Sequence, residues 1–341
     1  MRGRLLFVFI LCSVSLLSQT APKPVNLYVQ VTDKSGAAVR GLTQQDFTVV
    51  DNKHPQTVSS FQAVDGRPAS DADSPTQIVL VIDSVNTPVA AISNARDDVR
   101  KFLLRDGGNL SQPVSFIVVT ETGTRISPDS SRDGKALVDQ FDQLQTGIRS
   151  SRPFDAYQEQ ERLDLAMKAV SSIANFEQQK PGRKLVIWLS PGWPLMSGAT
   201  MKFSPQGHEM FFKELRIQSN ALQNAGITIY TIDPLGLQDA ASRRVTLYKD
   251  YVKPVKSAPD AEPGNLALQV LSLQSGGRVL NASNDLAKEI VDCASDANSY
   301  YVVSYIPDKP GKPGEYHDVS VKVNKPDVTV RTRTGYYNAM E

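Results

Sequence analysis

Polar side chains that suit ligand binding directly follow three apolar runs of the sequence. The run over residues 78–82 ends in four small polar residues, which are Asp83, Ser84, Asn86 and Thr87. Ser190 follows the run over residues 184–189, and Asp233 follows the run over residues 227–232. Short runs rich in β-branched residues are typical of parallel strands buried on both faces, and open α/β folds bind ligands at the carboxyl ends of such strands. We therefore expect these polar residues to share one edge of a sheet.

The two carboxylates at this edge would suit acid–base chemistry. If Asp83 and Asp233 faced each other, the pair could serve a hydrolase. Asp233, however, begins an Asp-Pro pair that is also typical of a turn, and we favour that interpretation. Neither Ser190 nor Ser304 lies in a Gly-x-Ser-x-Gly elbow, and His208 lies on a predicted helix. The sequence therefore favours a protein that is not an enzyme.

Strand-like and helix-like segments alternate between residues 77 and 297. Apolar residues recur with helical spacing over residues 92–104, 161–176 and 207–224, and apolar runs of strand length lie between them. Ser131 and Asp133 are placed to cap a further helix. The alternation predicts an α/β fold with a doubly wound, mainly parallel sheet and helices on both faces. Residues 235–264 lack any period, which is more typical of a functional insertion than of a framework.

Both ends of the mature chain carry a strand-like pattern with period two. It runs through residues 22–66 and returns in residues 299–341, for example at Val319, Val321 and Val323. Neither set of short strands could bury a core alone. We therefore predict that residues 22–66 and 299–341 pair in one small β-sandwich, with a domain of residues 75–298 inserted between them. The small polar residues 66–74 are typical of a linker.

The first residues have the pattern of a secretory signal. Arg2 and Arg4 precede an apolar run over residues 5–17, and small and polar residues follow it. The run is too short to be a good transmembrane helix. We therefore predict that residues 1–21 are a signal peptide, that the protein is secreted or periplasmic, and that the mature chain does not insert into a membrane.

Composition excludes several other classes of function. The 37 Lys and Arg residues balance 36 Asp and Glu residues, so no strong field favours nucleic acid as a partner. Cys293 is the only cysteine after residue 21, and its place on a helical apolar face predicts a buried structural thiol. With three scattered histidines, the chain has no zinc-binding pattern of Cys and His.

Several separated segments, taken in order, resemble a known family. They are GLTQQDFTVVDN (residues 41–52), IDSVNT (82–87), WLSPGWP (188–194), YTIDPLGL (230–237), SGGRVL (275–280) and YYVVSYIP (300–307), with VSVKV and VTVRTRTGYY after them. Together they resemble the von Willebrand factor type A domain, and more closely the secreted acidobacterial "VWFA-related" proteins. The resemblance covers nearly all of the mature chain. It implies a central sheet of about six strands.

The resemblance also implies a metal-ion-dependent adhesion site at the carboxyl edge. Its candidate ligands for Mg²⁺ or Ca²⁺ are Asp83, Thr87, Glu161 and Ser190, since hard cations prefer oxygen ligands. Only two of the family's five ligand positions keep a fitting residue, and Val85 stands where the family has a serine. The competing interpretation is that Asp83, Asn86 and Thr87 bond the turn and cap the next helix, as such residues often do. No other cofactor is expected.

The function that we predict is non-enzymatic binding of a protein or matrix ligand at this edge. The candidate edge residues are Asp83, Ser84, Asn86, Thr87, Ser190, Trp193 and Asp233. Trp193 forms either an exposed apolar anchor or a plug between the domains. The alternatives are a structural component of the cell envelope and, less favoured, a hydrolase that uses the edge carboxylates.

Overall fold

The computed structural model describes residues 24–66, 76–145, 156–193, 203–238, 247–281, 283–309 and 311–339. The predicted signal peptide lies outside the described residues, as does the predicted linker apart from Gly66. The strands are β1 (Val25–Asp33), β2 (Phe47–Asp51), β3 (His54–Gln56), β4 (Val58–Asp65), β5 (Thr76–Asp83), β6 (Asn109–Thr120), β7 (Gly123–Ile126), β8 (Ser131–Asp133), β9 (Arg183–Leu189), β10 (Ile227–Ile232), β11 (Val279–Leu280), β12 (Ser299–Tyr305), β13 (Tyr316–Val323), β14 (Val328–Arg331) and β15 (Gly335–Tyr337). The helices are α1 (Val89–Leu104), α2 (Gly134–Gln145), α3 (Ala156–Glu177), α4 (Pro205–Asn224), α5 (Leu268–Gln274) and α6 (Leu286–Ser295).

The largest sheet is mixed and has seven strands. Its order is β11-β10-β9-β5-β6-β7, and β8 pairs with β6 beside this path. The pairs from β11 to β6 are parallel, whereas β7 and β8 both run antiparallel to β6. The predicted doubly wound, mainly parallel sheet of six strands is therefore wrong. One reason is local. Ser131 lies in β8, a strand of three residues with no apolar side chain, whereas the sequence pattern predicts that Ser131 caps a helix.

Helices cover both faces of this mixed sheet. One core contains buried residues of α1, α2 and α6, and the other contains buried residues of α3, α4 and α5. The strand β5 supplies both cores, because its apolar residues alternate between them: Ile78, Leu80 and Ile82 face one core, and Val79 and Val81 face the other. This explains why the run is apolar without a break.

The strands at the two ends of the chain form two antiparallel sheets of four strands. Their orders are β14-β1-β12-β4 and β15-β13-β2-β3. One apolar core contains residues from both, including Leu27 and Val303 from the first sheet and Val49 and Val319 from the second. The arrangement resembles a β-sandwich, in which strands from residues 25–65 and 299–337 hydrogen-bond to one another. The domain boundaries given above stay a prediction.

A polar cluster around Asp296 joins the mixed sheet to the antiparallel sheets. Oδ2 of Asp296 accepts hydrogen bonds from the hydroxyl of Tyr230 at 2.8 Å and from Nη2 of Arg331 at 2.6 Å. Its backbone carbonyl accepts bonds from Nη1 of Arg183 at 3.1 Å and from the side chain of Gln30. Residues from β1, β9, β10 and β14 thus meet at one residue.

In the ranges that the structure describes, no helix is long and apolar enough to cross a lipid bilayer. The region of residues 235–264, which was predicted to be structureless, contains 3₁₀ turns at Gly236–Gln238, Tyr248–Tyr251 and Ala258–Asp260, although residues 239–246 lie outside the described chain.

We expect Asp296→Asn to lower the free energy of unfolding by about 2 kcal/mol, because a charged partner of the partly buried Arg331 is lost. The matched control is Asp327→Asn, which removes a charge from the Asp327–Lys34 pair, whose side chains are 70% and 76% exposed. Exposed pairs contribute little, so the control should change stability by less than about 0.5 kcal/mol. Urea denaturation of both variants makes the comparison. Equal effects would show that the Asp296 cluster does not hold the sheets together.

Candidate functional site

Asp83 is fully buried at the carboxyl end of β5, in the middle of the mixed sheet. Its Oδ1 accepts hydrogen bonds from the backbone N–H groups of Val85 at 3.1 Å and Asn86 at 3.0 Å. The side-chain amide of Asn86 also donates to Oδ1 at 3.2 Å and to Oδ2 at 3.0 Å. These contacts fold the chain after β5 into a tight turn, which is the structural role that aspartate and asparagine commonly have.

The same carboxylate ties β5 to the neighbouring strand β9. Oδ2 of Asp83 accepts a bond from the hydroxyl of Ser190 at 3.1 Å and a longer one from Nε1 of Trp188 at 3.4 Å. The Ser190 hydroxyl in turn accepts a bond from the backbone N–H of Gly192 at 3.1 Å. Asp83 and Ser190 therefore meet, as expected for residues at the ends of adjacent parallel strands.

Arg162 on α3 is the cation near Asp83. Its side chain is buried, and burial lowers the pKa of Arg162 while the negative charges of Asp83 and Glu121 oppose that shift. The ligand candidate predicted from the sequence is the preceding residue, Glu161, which is exposed. The sequence does indicate that Arg162 is buried. Apolar residues of α3 follow it at three, four and seven positions, which places it on the buried face of the helix.

Burial also raises the pKa of Asp83, although hydrogen bonds from Asn86, Ser190 and Trp188 oppose that rise. The environment therefore favours the neutral carboxyl more than water does.

The other residues of the first turn are also buried. The Ser84 hydroxyl donates to the carbonyl of Val119 at 2.6 Å, and Val85 lies in the apolar core. Oδ1 of Asn86 and the hydroxyl of Thr87 are buried without a hydrogen-bond partner among the residues that the structure describes. Unpaired buried polar atoms are uncommon, and this turn contains two of them.

Trp193 is buried and packs at the carboxyl end of β9. Its ring packs edge-on against Trp188 with centroids 5.3 Å apart, and its Nε1 donates to the carbonyl of Leu266 at 2.7 Å. Gly192 precedes it with a φ of 96°, and a Cβ there would lie 2.5 Å from the amide of Gln269. Only glycine fits this close approach without strain. Trp193 is therefore not an exposed anchor, and its partners Trp188 and Leu266 both lie within residues 75–298, so a position between the domains stays a prediction.

Asp233 directly follows β10, and the strand β9 lies between β10 and β5, which carries Asp83. Its Oδ1 accepts a bond from the backbone N–H of Leu235 at 2.9 Å, which is a turn contact. Glu289 on α6, a carboxyl that is not among the residues predicted from the sequence, is buried nearby. Burial raises the pKa of Glu289 to about 7, and the charges of Asp292 and Asp233 add to the effect. Its burial could be predicted from its place between Leu286 and Ile290 on the apolar face of α6.

The residues at this edge do not fit the ligand set of a divalent cation. Two of the four candidate ligands are carboxylates, and of these only Asp83 lies beside Ser190. The oxygens of Asp83 already accept hydrogen bonds from donors of this chain. Glu161 is exposed, and the positive charge of Arg162 lies close instead. Across the described ranges, no three or more His, Cys, Asp and Glu side chains are grouped to hold a metal ion.

No family model matches the chain, and no curated protein matches it. Among solved structures, the chain is similar to the PilB minor pilin from Streptococcus sanguinis (8% identity, TM-score 0.39, 70% of this chain and 62% of that one). It is also similar to the pilus adhesin SpaC from Lactobacillus rhamnosus GG (9%, 0.41, 86% and 49%). A third is a structure of three N-terminal domains of the type V pili tip protein Mfa5 from Porphyromonas gingivalis (10%, 0.40, 94% and 67%).

These comparisons correct the resemblance inferred from the sequence. The assignment to the von Willebrand factor type A family is wrong, because no family model matches the chain. The chain spans 62% of PilB and 49% of SpaC. With TM-scores below 0.5, the likeness carries no argument about function.

We expect the stability of the wild type relative to Asp83→Asn to fall as pH rises. An unfolded aspartate has a pKa of about 3.9, and burial places the pKa of folded Asp83 above its ordinary value. The unfolded chain therefore releases this proton first, so the stabilisation is complete at low pH and is lost as pH rises through the folded pKa, by at most about 1.4 kcal/mol per pH unit. Urea denaturation between pH 4 and 8 measures the difference.

The matched control is Asp97→Asn on α1, whose side chain is 72% exposed and which should stay within about 0.5 kcal/mol of the wild type throughout. A relative stability of the wild type that rises with pH would contradict the prediction and would show that Arg162 stabilises an ionised Asp83.

Proposed function

We propose that this chain is a non-enzymatic binding protein of the cell exterior that holds a protein or matrix ligand at the carboxyl edge of the mixed sheet. The observation that carries the proposal is that Asp83 forms its hydrogen bonds within the chain. Its oxygens accept hydrogen bonds from the turn after β5 and from β9, which fixes both segments in one geometry. A recognition surface gains affinity from such preorganisation because less freedom is lost on binding.

The chemistry of the described residues supports binding rather than catalysis. Nδ1 of His208 lies 2.7 Å from the carbonyl of Ala261, and Nδ1 of His317 bonds Asp51; among the described residues, no serine or threonine hydroxyl bonds either imidazole. Complete burial raises the pKa of the Cys293 thiol, which makes it a poor nucleophile. At the edge itself, Ser190 donates to a carboxylate and has no imidazole beside it.

Two exposed apolar side chains at this edge are the proposed contact residues. Val89 begins α1 directly after the Asp83 turn and is 40% exposed. Leu237 follows β10 and is 55% exposed, and its backbone N–H is held by Asn284. Exposed apolar residues on a fixed surface are suited to a protein partner, since their burial on binding is favourable. The buried residues Asp83, Ser190 and Trp193 would position these contacts, with Ser84, Asn86, Thr87 and Asp233 shaping the turns.

The test is a binding panel with matched variants. The mature chain from residue 22 is presented to immobilised extracellular-matrix proteins and bacterial surface proteins by biolayer interferometry. For any ligand that binds, the double variant Val89→Asp and Leu237→Asp should weaken binding at least tenfold, or about 1.4 kcal/mol. The control double variant is Leu104→Asp and Ile306→Asp, at positions that are 46% and 44% exposed and lie away from the edge.

Equal losses in both double variants would place the contact elsewhere. Turnover of any substrate in a hydrolase panel, abolished by Asp83→Asn or Asp233→Asn, would replace the binding proposal with the enzymatic alternative.

A further inference from the structure

The strand β4 (Val58–Asp65) is a long edge of one antiparallel sheet. It lies at the end of the order β14-β1-β12-β4 and pairs only with β12. It has eight residues, whereas the strands at the other sheet ends, β3, β7, β11, β14 and β15, have two to four. An edge strand presents unpaired backbone N–H and C=O groups to which another strand can bond.

A hydrogen bond just beyond β4 shows which of its backbone groups point outward. The N–H of Gly66 donates to the carbonyl of Asn298 at 2.9 Å, so these two residues form a hydrogen-bonded pair between the strands. Such pairs alternate along an antiparallel ladder with pairs that do not bond each other. By this alternation, the residues whose N–H and C=O groups point away from β12 are Phe61, Ala63 and Asp65.

The second half of β4 is both regular and open. Among the residues that the structure describes, none forms a hydrogen bond with the outward backbone groups of this half, and Ala63 at its centre is exposed. The start of the strand differs, because the carbonyl of Val58 accepts a bond from the side-chain amide of Gln44 at 3.3 Å. The register also shifts there, between Ser304 and Tyr305 of β12. A second strand can therefore pair along the second half of β4.

β4 lacks the features that commonly prevent pairing at an edge. These features include lysine or proline in the edge strand and a very short strand. The only charged residue of β4 is Asp65, at its end. Its carboxylate lies 2.9 Å from Nε of Arg40 in the same chain, which offsets the charge. The edge is therefore close to neutral and does not repel a copy of itself.

The outward residues of β4 are arranged symmetrically about Ala63, which suits a two-fold axis. When two copies of β4 run antiparallel with Ala63 opposite its own copy, Phe61 of each chain lies opposite Asp65 of the other. Every outward residue then belongs to a hydrogen-bonded pair, and about six N–H···O=C bonds form between the strands. On the other face of the sheet, Gln62 lies opposite Val64 of the second copy. The edge is thus complementary to itself, as a two-fold interface requires.

We propose that the protein forms a two-fold dimer in which two copies of β4 pair antiparallel, with Ala63 at the axis. The pairing joins the β14-β1-β12-β4 sheets of both chains into one continuous sheet. Pairing along half a strand buries less area than the roughly 1,600 Å² of a standard interface, so the dimer is weak and depends on concentration. It uses no residue of the proposed binding edge, so either proposal can fail without the other.

Sedimentation velocity of the mature chain, from micromolar to millimolar concentration, tests the association. The sedimentation coefficient should rise from that of a monomer towards that of a dimer. Ala63→Pro removes the central outward N–H without removing a bond to β12, and edge strands tolerate proline at such positions. It should weaken the dimer about tenfold or more, because each copy loses a hydrogen bond. The matched control Ala63→Ser keeps the N–H and should dimerise like the wild type.

Two double variants test the register. Gln62→Lys with Val64→Lys places like charges opposite each other across the axis and should weaken the dimer about tenfold at low ionic strength. Gln62→Lys with Val64→Glu places opposite charges at the same positions and should dimerise at least as tightly as the wild type. In a register centred on Gln62, the introduced lysine would face its own copy. Dissociation of this second double variant would therefore contradict the proposed register.

Amide hydrogen exchange tests whether the edge itself forms the interface. The amides of Phe61, Ala63 and Asp65 should exchange freely in dilute protein and become protected as the concentration rises. The amide of Gln62, which points to β12, should be protected throughout and is the internal reference. If Ala63→Pro does not fold, as judged by circular dichroism, the double variants and the exchange pattern still decide the matter.

Three outcomes would overturn the proposal. A monomer at every concentration excludes the dimer, and a dimer that Ala63→Pro leaves intact places the interface elsewhere. Protection of the three outward amides in the dilute monomer would show that the chain itself covers the edge. If those amides become protected only when another protein is added, the occupant is an extended segment of that protein rather than a second copy.

Discussion

The need to satisfy a buried carboxylate at the centre of the mixed sheet governs the edge around it. Asp83 has no exposed surface, and burial works against its ionised form. Hydrogen bonds from the backbone of Asn86, from its amide and from the hydroxyl of Ser190 offset that cost. Asn86 after β5 and Ser190 after β9 therefore serve Asp83, and these bonds hold both segments beside it.

The same constraint recurs within the antiparallel sheets, at Asp51, and where those sheets meet the mixed sheet, at Asp296. Asp51 accepts bonds from His317 and Tyr305, and Asp296 accepts bonds from Tyr230 and Arg331. Asp51 differs from Asp83 in the direction of its pKa, which its partners lower despite burial. Two differences account for this: Asp83 is the more deeply buried group, and an imidazole and two phenols donate to Asp51. Each carboxylate fixes strands that lie far apart in the sequence.

What the sequence predicts correctly is local, and what it misses depends on pairing across long distances. The apolar run of residues 227–232 predicts β10, and the structure gives Ile227–Ile232. Asp133 caps α2 as predicted, with its Oδ1 accepting bonds from Lys135 and Ala136, whereas Ser131 lies in β8, which has no apolar period. The pairing of Asp51 with His317 spans 266 residues, so no local pattern could reveal it. The family resemblance failed in a similar way, because short shared segments fix neither strand number nor strand direction.

The inward position of Arg162 changes what the edge can recognise. A guanidinium that belongs to the chain lies near Asp83, and its own pKa is lowered by burial, so carboxylate and cation share one poorly solvated region. The fixed guanidinium offsets the negative charge of the carboxylate without a bound metal ion. The hydrogen-bond donors of the chain also occupy the carboxylate oxygens that a ligand would need. For the binding function proposed above, affinity would then come from the exposed surface above Asp83. In the proposed binding function, the turn that Asp83 maintains positions Val89, whereas Asp233 and Asn284 hold the segment that carries Leu237. The buried carboxylate of Asp83 would not contact the ligand itself.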